Sequence, residues 1–231
     1  MREQSTPRSQ VVIVYRDQED VPVARVRADL DKYRTPDWMT EALVSSFPAI
    51  KGSVLCDPCC GDGRMSMTLA PRFDGLIASD IDVEDVQAAR DWTRNRFVTR
   101  QIAQADLTLP AFTSRQITNV QLLQHNLHQS GFEPSGVWTI TNPPFKHALE
   151  VARCALAVSH QVALLMRATW LEPTEARRDF LLEHPPEHML YLPRWSFDGG
   201  GSDSVSCCWF VWGYPADVPA IRVWPSRPSR K

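Results

Sequence analysis

No stretch of this chain approaches the ~18 consecutive apolar residues of a membrane-spanning helix, which excludes an integral helical membrane protein. Residues 1–10 are polar and contain no apolar core of the signal-peptide kind, so the expectation is a cytoplasmic protein. A dominant charge is lacking as well. The 25 basic and 27 acidic residues leave a formal net charge of −2, and any phosphate contact has to come from a local patch. Metal-ligand spacing is also missing. Cys56-x-x-Cys59 is a single pair, and the adjacent Cys207 and Cys208 cannot supply the second pair of a zinc ribbon. In His184-Pro185-Pro186-Glu187-His188 the prolines prevent the helix that would align the histidines. All six cysteines, including Cys60 and Cys154, are therefore expected as buried or loop thiols in a reducing compartment, with no metal.

What the chain does have is 231 residues with 43% hydrophobic content, enough for one domain with a full core. The expected organisation is a disordered tail over 1–10, a single domain over 11–214 and a Pro/Ser/Arg-rich tail over 215–231 that is extended or disordered. Arg227, Arg230 and Lys231 in that tail would add nonspecific phosphate contact. Apolar runs predict strands at 53–57, 75–80, 137–141, 161–166, 189–192 and 206–212, with a peripheral strand at 11–15. Helical spacing predicts helices at 65–69, 149–158, 177–183 and 83–97, the last with Val83, Val86, Ala89, Arg90 and Thr93 on one face. A further helix begins at Pro36 and Asp37, capped by Thr35, and leaves Tyr33 and Thr35 at its entrance where polar groups can meet a ligand.

Asn142-Pro143-Pro144-Phe145 follows the run Val137-Trp138-Thr139-Ile140-Thr141 and so stands at a strand's carboxyl end, where open α/β sheets bind ligands. Two prolines fix φ and remove both backbone donors, which leaves carbonyl oxygens in the corner with no donor beside them. Asn142 adds a side-chain amide oxygen. Such acceptors suit the exocyclic amine of adenine, whose lone pair is delocalised into the ring. Holding its two hydrogens draws the nitrogen toward a tetrahedral form and frees the pair for attack. Phe145 offers a ring to lie against the flat base. The plainer reading is a strand-to-helix turn with Phe145 in the core.

Ser53-Val54-Leu55-Cys56-Asp57 leads into Pro58-Cys59-Cys60-Gly61-Asp62-Gly63-Arg64 and a short helix, giving a strand, a glycine turn and a helix start. Gly61 and Gly63 permit positive φ and close backbone approach, while Asp57 at the strand end can receive an ammonium. The second strand ends in Asp80, a carboxylate placed to accept both hydroxyls of a ribose. For the adenine ring of a nucleoside cofactor the candidate is Asn126, beyond the strand-like 119–124, with Asp106 at the tip of 102–106 as the alternative. The first choice makes 98–118 an inserted or irregular connection.

Together these residues resemble the class I methyltransferases that use S-adenosylmethionine, and more narrowly the adenine-N6 DNA methyltransferases. The resemblance covers roughly residues 31–150 and, more loosely, extends to 213. It implies an α/β, Rossmann-like fold: a central, mostly parallel sheet with an antiparallel last strand and helices on both faces. In that family the segments matching Tyr33-Arg34-Thr35-Pro36 and Asp57-Pro58-Cys59-Cys60-Gly61-Asp62-Gly63 border the methionine part of the cofactor. The acid matching Asp80 holds the ribose, and Asn142-Pro143-Pro144-Phe145 matches the catalytic corner. The Thr-Pro segment preceding the glycine loop resembles the group called gamma. Asp62 departs from the pattern, since a small or hydroxyl residue is usual there, and too few residues remain for a large target-recognition domain. In this the chain is similar to the compact enzymes of phages and mobile elements.

The implied substrate is DNA, with a flipped base bounded by Trp195 or Phe197 and phosphates met by Lys146, Arg194 and Arg167. As a simple hairpin loop, the segment holding Trp195 and Phe197 has no such role. Two other readings use the same residues: methyl transfer to RNA adenine or to a glutamine amide of a protein, and a cofactor-binding module without catalysis.

Overall fold

The structure, a computed structural model, describes residues 34–104, 136–172, 174–195, 206–215, 217 and 219–225. The expectations for 1–15, Tyr33, Asp106, the strand at 119–124, Asn126, Phe197 and the three cationic residues near the C-terminus lie outside these residues. Among the described residues eight strands form one sheet in the order β3-β2-β1-β4-β5-β7-β6-β8. They are β1 (Gly52–Asp57), β2 (Phe73–Asp80), β3 (Thr99–Gln104), β4 (Val137–Thr141), β5 (Gln161–Arg167), β6 (His188–Tyr191), β7 (Cys207–Trp212) and β8 (Ile221–Val223). Only β7 runs against the rest, inserted between β5 and β6 and antiparallel to both. The mostly parallel sheet with a reversed strand near its end is thus as expected.

The central strands are apolar almost throughout because both of their faces are covered. Side chains alternate across the pleat, so adjacent residues serve different cores. Cys207, Trp209 and Val211 of β7 join one cluster with α1 (Asp37–Ser46), α2 (Arg64–Leu69) and α3 (Val83–Trp92). Cys208, Phe210 and Trp212 join the other, beneath α4 (Ala148–Val158) and α5 (Glu175–Glu183). All six cysteines are free, and four of them are buried. Among the described residues no helix is long and apolar enough to cross a membrane, and no His/Cys/Asp/Glu cluster is placed to hold a metal.

Four expectations need correction. The third strand is β3, which pairs with β2 from Gly75↔Thr99 to Asp80↔Gln104, so the start of 98–118 is sheet rather than an irregular connection. Helix α3 ends at Trp92, short of 97, and Asn95 follows with a positive φ of 61°. Val83, assigned to the buried face of that helix, is 58% exposed, while Val86, Ala89 and Thr93 are buried. Thr35 does not cap α1: Pro36 holds the N-cap position with no side-chain cap hydrogen bond. Within the tail, Ile221–Val223 extends the sheet as its edge, parallel to β6.

The strand order reverses between β1 and β4, which pair with each other in parallel. This is the switch point at which the loops after neighbouring strands diverge and open a crevice. The glycine turn leaves the tip of β1 and the Asn-Pro-Pro-Phe corner leaves the tip of β4. Helix α1 is held over the same sheet edge by the Trp209 indole, whose Nε1 donates to the Met39 carbonyl at 2.9 Å.

Candidate active site

Thr141 is the last residue of β4 and Asn142 the first of the corner. The Asn142 side chain donates through Nδ2 to Thr35 Oγ1 at 3.0 Å, across 107 residues of sequence. Thr35 is 8% exposed and Asn142 is half-buried, so the bond is sheltered from solvent. It fixes the amide's orientation: the nitrogen is committed to Thr35, and Oδ1 lies on the opposite branch as an acceptor. Pro144 has the extended φ/ψ of −53°/128° and leads into a 3-10 turn at Phe145–His147. Its carbonyl accepts from the His147 N–H at 2.9 Å, which corrects the expectation that no donor stands beside the corner's carbonyls.

Beside the corner, Asp57 is completely buried at the tip of β1. Its oxygens accept from Ser66 Oγ at 2.9 Å and Thr141 Oγ1 at 2.8 Å. Thr141 Oγ1 in turn accepts from the Cys59 N–H at 3.2 Å, so one hydroxyl joins the ends of β1 and β4 to the glycine turn. Burial pushes the Asp57 carboxyl up to about 7, against the lowering effect of its two hydroxyl donors. Burial, together with the nearby Asp57 and Asp80 carboxylates, pushes the Cys59 and Cys60 thiols well above their ordinary range.

Asp80, at the tip of β2, accepts from the Gly61 N–H at 2.8 Å and from the Asp82 N–H at 3.1 Å. Gly61 and Gly63 have φ of +50° and +82°, the conformation for which glycine was expected. At Gly63 packing adds a second requirement, since a Cβ there would lie 2.9 Å from the Ala89 Cα of α3. Asp62 has a definite place. It accepts from the Arg64 N–H at 3.2 Å, and its carboxylate lies 3.6 Å from Nε of Arg34 in the Thr-Pro segment. The mouth bounded by this turn carries the carboxylates of Asp62 and Asp80, while Asp57, completely buried and bonded to Ser66 and Thr141, lies behind it and does not offer the open carboxylate expected for an ammonium. The chemistry of the mouth suits a ligand that combines hydroxyls with a cationic group.

Two ring contacts involve residues expected at the base slot. Trp195, expected as a wall of the base slot, packs edge-to-face on Trp38 of α1 at 5.6 Å between ring centroids. The Arg167 guanidinium lies over the Phe145 ring at 4.7 Å. Lys146 and Arg194 are exposed on the surface. The structure thus brings together Thr35, Asp57, Cys59, Gly61, Gly63, Asp80 and the whole Asn142-Pro143-Pro144-Phe145 corner. Ser66, Trp38 and the hydroxyl of Thr141 were not singled out from the sequence. Trp38 had a signal, lying three residues beyond Thr35 at the first turn of a helix, whereas the roles of Ser66 and Thr141 depend on contacts that sequence spacing does not show.

No protein-family model and no curated protein matches the chain. Solved structures do. A proposed RNA methyltransferase from Pyrococcus horikoshii superposes with a TM-score of 0.56 at 20% identity, over 79% of this chain and 86% of that one. The methyltransferase subunit of a type I restriction-modification system from Streptococcus thermophilus gives 0.56 at 13% identity, over 80% of this chain and 45% of that one. The 23S rRNA methyltransferase ErmE gives 0.51 at 10% identity, over 81% and 72% respectively. The chain therefore spans less than half the length of the type I subunit. Its strand order, its reversed β7 and these superpositions give the chain the Rossmann-like fold of the class I methyltransferases.

Proposed function

We propose that this protein transfers a methyl group from S-adenosylmethionine to the N6 amino group of adenine in DNA, by base flipping and direct in-line transfer. The observation that carries the reading is the Asn142–Thr35 hydrogen bond, which holds an amide acceptor at the switch point of a class I methyltransferase fold. When bound, the cofactor supplies a methyl already made electrophilic by the sulfonium. The chain's residues do the rest. Asp80 is positioned for the ribose hydroxyls, and the Cys59–Gly63 turn, backed by Asp57, borders the methionine portion. The Thr35-Pro36 segment borders it from the other side through its backbone, the Thr35 hydroxyl being engaged by Asn142, and the ring of the cofactor is assigned to Asn126 or Asp106.

Asn142 Oδ1 and the Pro143 carbonyl hold the two amine hydrogens of the target, and Phe145 stacks on its base. With the amine so held, its lone pair would be free to take the methyl that the cofactor would supply, and the corner's fixed dipoles would stabilise the charge developing on nitrogen. An amide in this place accepts hydrogen bonds without abstracting a proton, so the proton released from the methylated amine would pass to solvent. Extracting the adenine from a duplex costs about a few kcal/mol, which base stacking and phosphate contacts through Lys146, Arg194 and the region of Trp195 and Phe197 offset. The order of its motifs supports an enzyme of the gamma type.

The test is methyl incorporation from labelled S-adenosylmethionine into duplex DNA, single-stranded DNA, RNA and a protein extract, with digestion and identification of the products. N6-methyladenine in the DNA samples supports the proposal. Label confined to RNA or to a glutamine side chain overturns the substrate. Cofactor binding without transfer to any of them overturns catalysis and leaves a binding module.

A further inference from the structure

Next to the corner, on the side away from the glycine turn, lies a cleft of about 340 Å³ between Phe145 and Trp170. Ala148, Met166 and Trp170 form its apolar floor, and all three are buried. Lys146, Arg167 and Arg177 line it with positive charge, and none of its described lining residues is acidic. That excess of cations stands out in a chain whose formal net charge is −2. The cleft is also built rather than incidental. Arg177 donates to the Trp170 carbonyl at 3.4 Å and to the Glu172 carbonyl at 3.1 Å, which pins the 3-10 turn Ala168–Leu171 against the cleft. Trp170 itself is braced edge-to-face by Phe180 and Phe210. Arg167 is held at the shared wall by the face of Phe145.

We propose that this cleft is a second nucleotide subsite: it takes the nucleotide adjoining the target adenine, its phosphate on Arg167 and Lys146 and its base against the apolar floor. The inference rests on the nucleic-acid reading above and deepens it, because a flat apolar body joined to an anion is what an apolar floor with a cationic rim selects. Arg167 links the two sites. Its guanidinium covers the ring that the target base must use, so seating the neighbouring phosphate draws Arg167 toward the cleft and uncovers Phe145. A glutamine-bearing protein substrate offers no phosphate at this distance from the reacting group.

Fluorescence anisotropy of a labelled adenine-containing single-stranded oligonucleotide tests the subsite, with R167Q, R167K and the unaltered protein compared across a salt series. Arg167 is exposed, so these substitutions leave the core intact. The expected result for R167Q is binding about tenfold weaker, the loss of one charge-assisted contact. Its plot of log K against log salt becomes shallower by about 0.7, the share of one phosphate contact on a single strand. R167K restores the slope because it restores the charge. An oligonucleotide whose nucleotides flanking the adenine are abasic binds the unaltered protein several-fold less tightly. R167Q with unchanged affinity and slope, on an oligonucleotide that the unaltered protein methylates, overturns the subsite alone. Failure of the unaltered protein to methylate any nucleic acid overturns the parent reading and the subsite with it.

Discussion

Replacing Thr35 by valine keeps the side chain's shape and removes one hydroxyl. In the structure that hydroxyl accepts the Asn142 Nδ2 hydrogen bond at 3.0 Å, at a position only 8% exposed. Without it the amide either keeps its place having lost that sheltered bond or turns to find another acceptor. The first course costs about 1–3 kcal/mol, and the second displaces Oδ1 from the amine it is meant to hold. If the whole cost falls on the transition state, the rate drops roughly 5- to 160-fold. The assay is single-turnover methyl transfer with saturating cofactor, paired with calorimetric titration of the cofactor alone. T35V is expected to lose rate while cofactor affinity stays within about threefold, and T35S, which keeps the acceptor, is expected to recover most of the rate. Loss of cofactor affinity with an unchanged rate would refute the reasoning, since the hydroxyl would then serve the cofactor rather than the catalytic amide.

Asn142→Ala is expected to abolish turnover and leave cofactor affinity near its original value; equal loss of both in the same two assays would remove Asn142 from the acceptor role. Gly63→Ala forces a Cβ to within 2.9 Å of the Ala89 Cα at a φ of +82°. It should cost about 1–3 kcal/mol by urea unfolding, and Gly61→Ala, which meets open space, should cost less. Burial raises the Asp57 pKa from 3.8 to about 7, so across that window the folded protein keeps a proton that the unfolded chain has released. Stability should therefore fall as pH rises from ~4 to ~7 and level off above, and Asp57→Asn should remove this contribution. Unfolding midpoints measured across that range in both proteins check it, and parallel curves would contradict it.

The strands at the centre of the sheet were legible because burial on both faces writes them as unbroken apolar runs. Val137–Thr141 and the two ends of the β1–β2 unit follow from composition and turn residues alone. Edge strands carry no such signature. Among the described strands β3 pairs only with β2, and Ile102 is its one apolar side chain that is described as buried, so Thr99–Gln104 reads as polar loop while 119–124 looks the better strand. β8 is three residues among prolines, with Ile221 and Val223 largely exposed. The end of α3 was misplaced for a different reason. Thr93 turns its hydroxyl back to the Ala89 carbonyl at 2.6 Å, and the chain leaves the helix before the apolar spacing stops. At the site, residue identities were visible and their partners were not. Thr35 looked like a helix cap, because hydroxyls before Pro-Asp often are caps, and only the three-dimensional return of α1 to the tip of β4 gives it Asn142 instead.

Those partners form a closed circuit, and Asp62 completes it. Asn142 reaches Thr35, and Arg34, the residue before Thr35, reaches Asp62 between the two glycines. Cys59 in the same turn donates to Thr141, which is bonded to Asn142 through the chain. The Thr-Pro segment, the glycine turn and the acceptor corner therefore cannot shift independently. The links differ in strength. Thr141 and Asp57 are buried, so their bond holds, whereas Arg34 is 76% exposed and its ion pair contributes about 1 kcal/mol at most. The ion pair at position 62 is thus the weakest link of the circuit, and the buried links are the ones that keep the corner aligned.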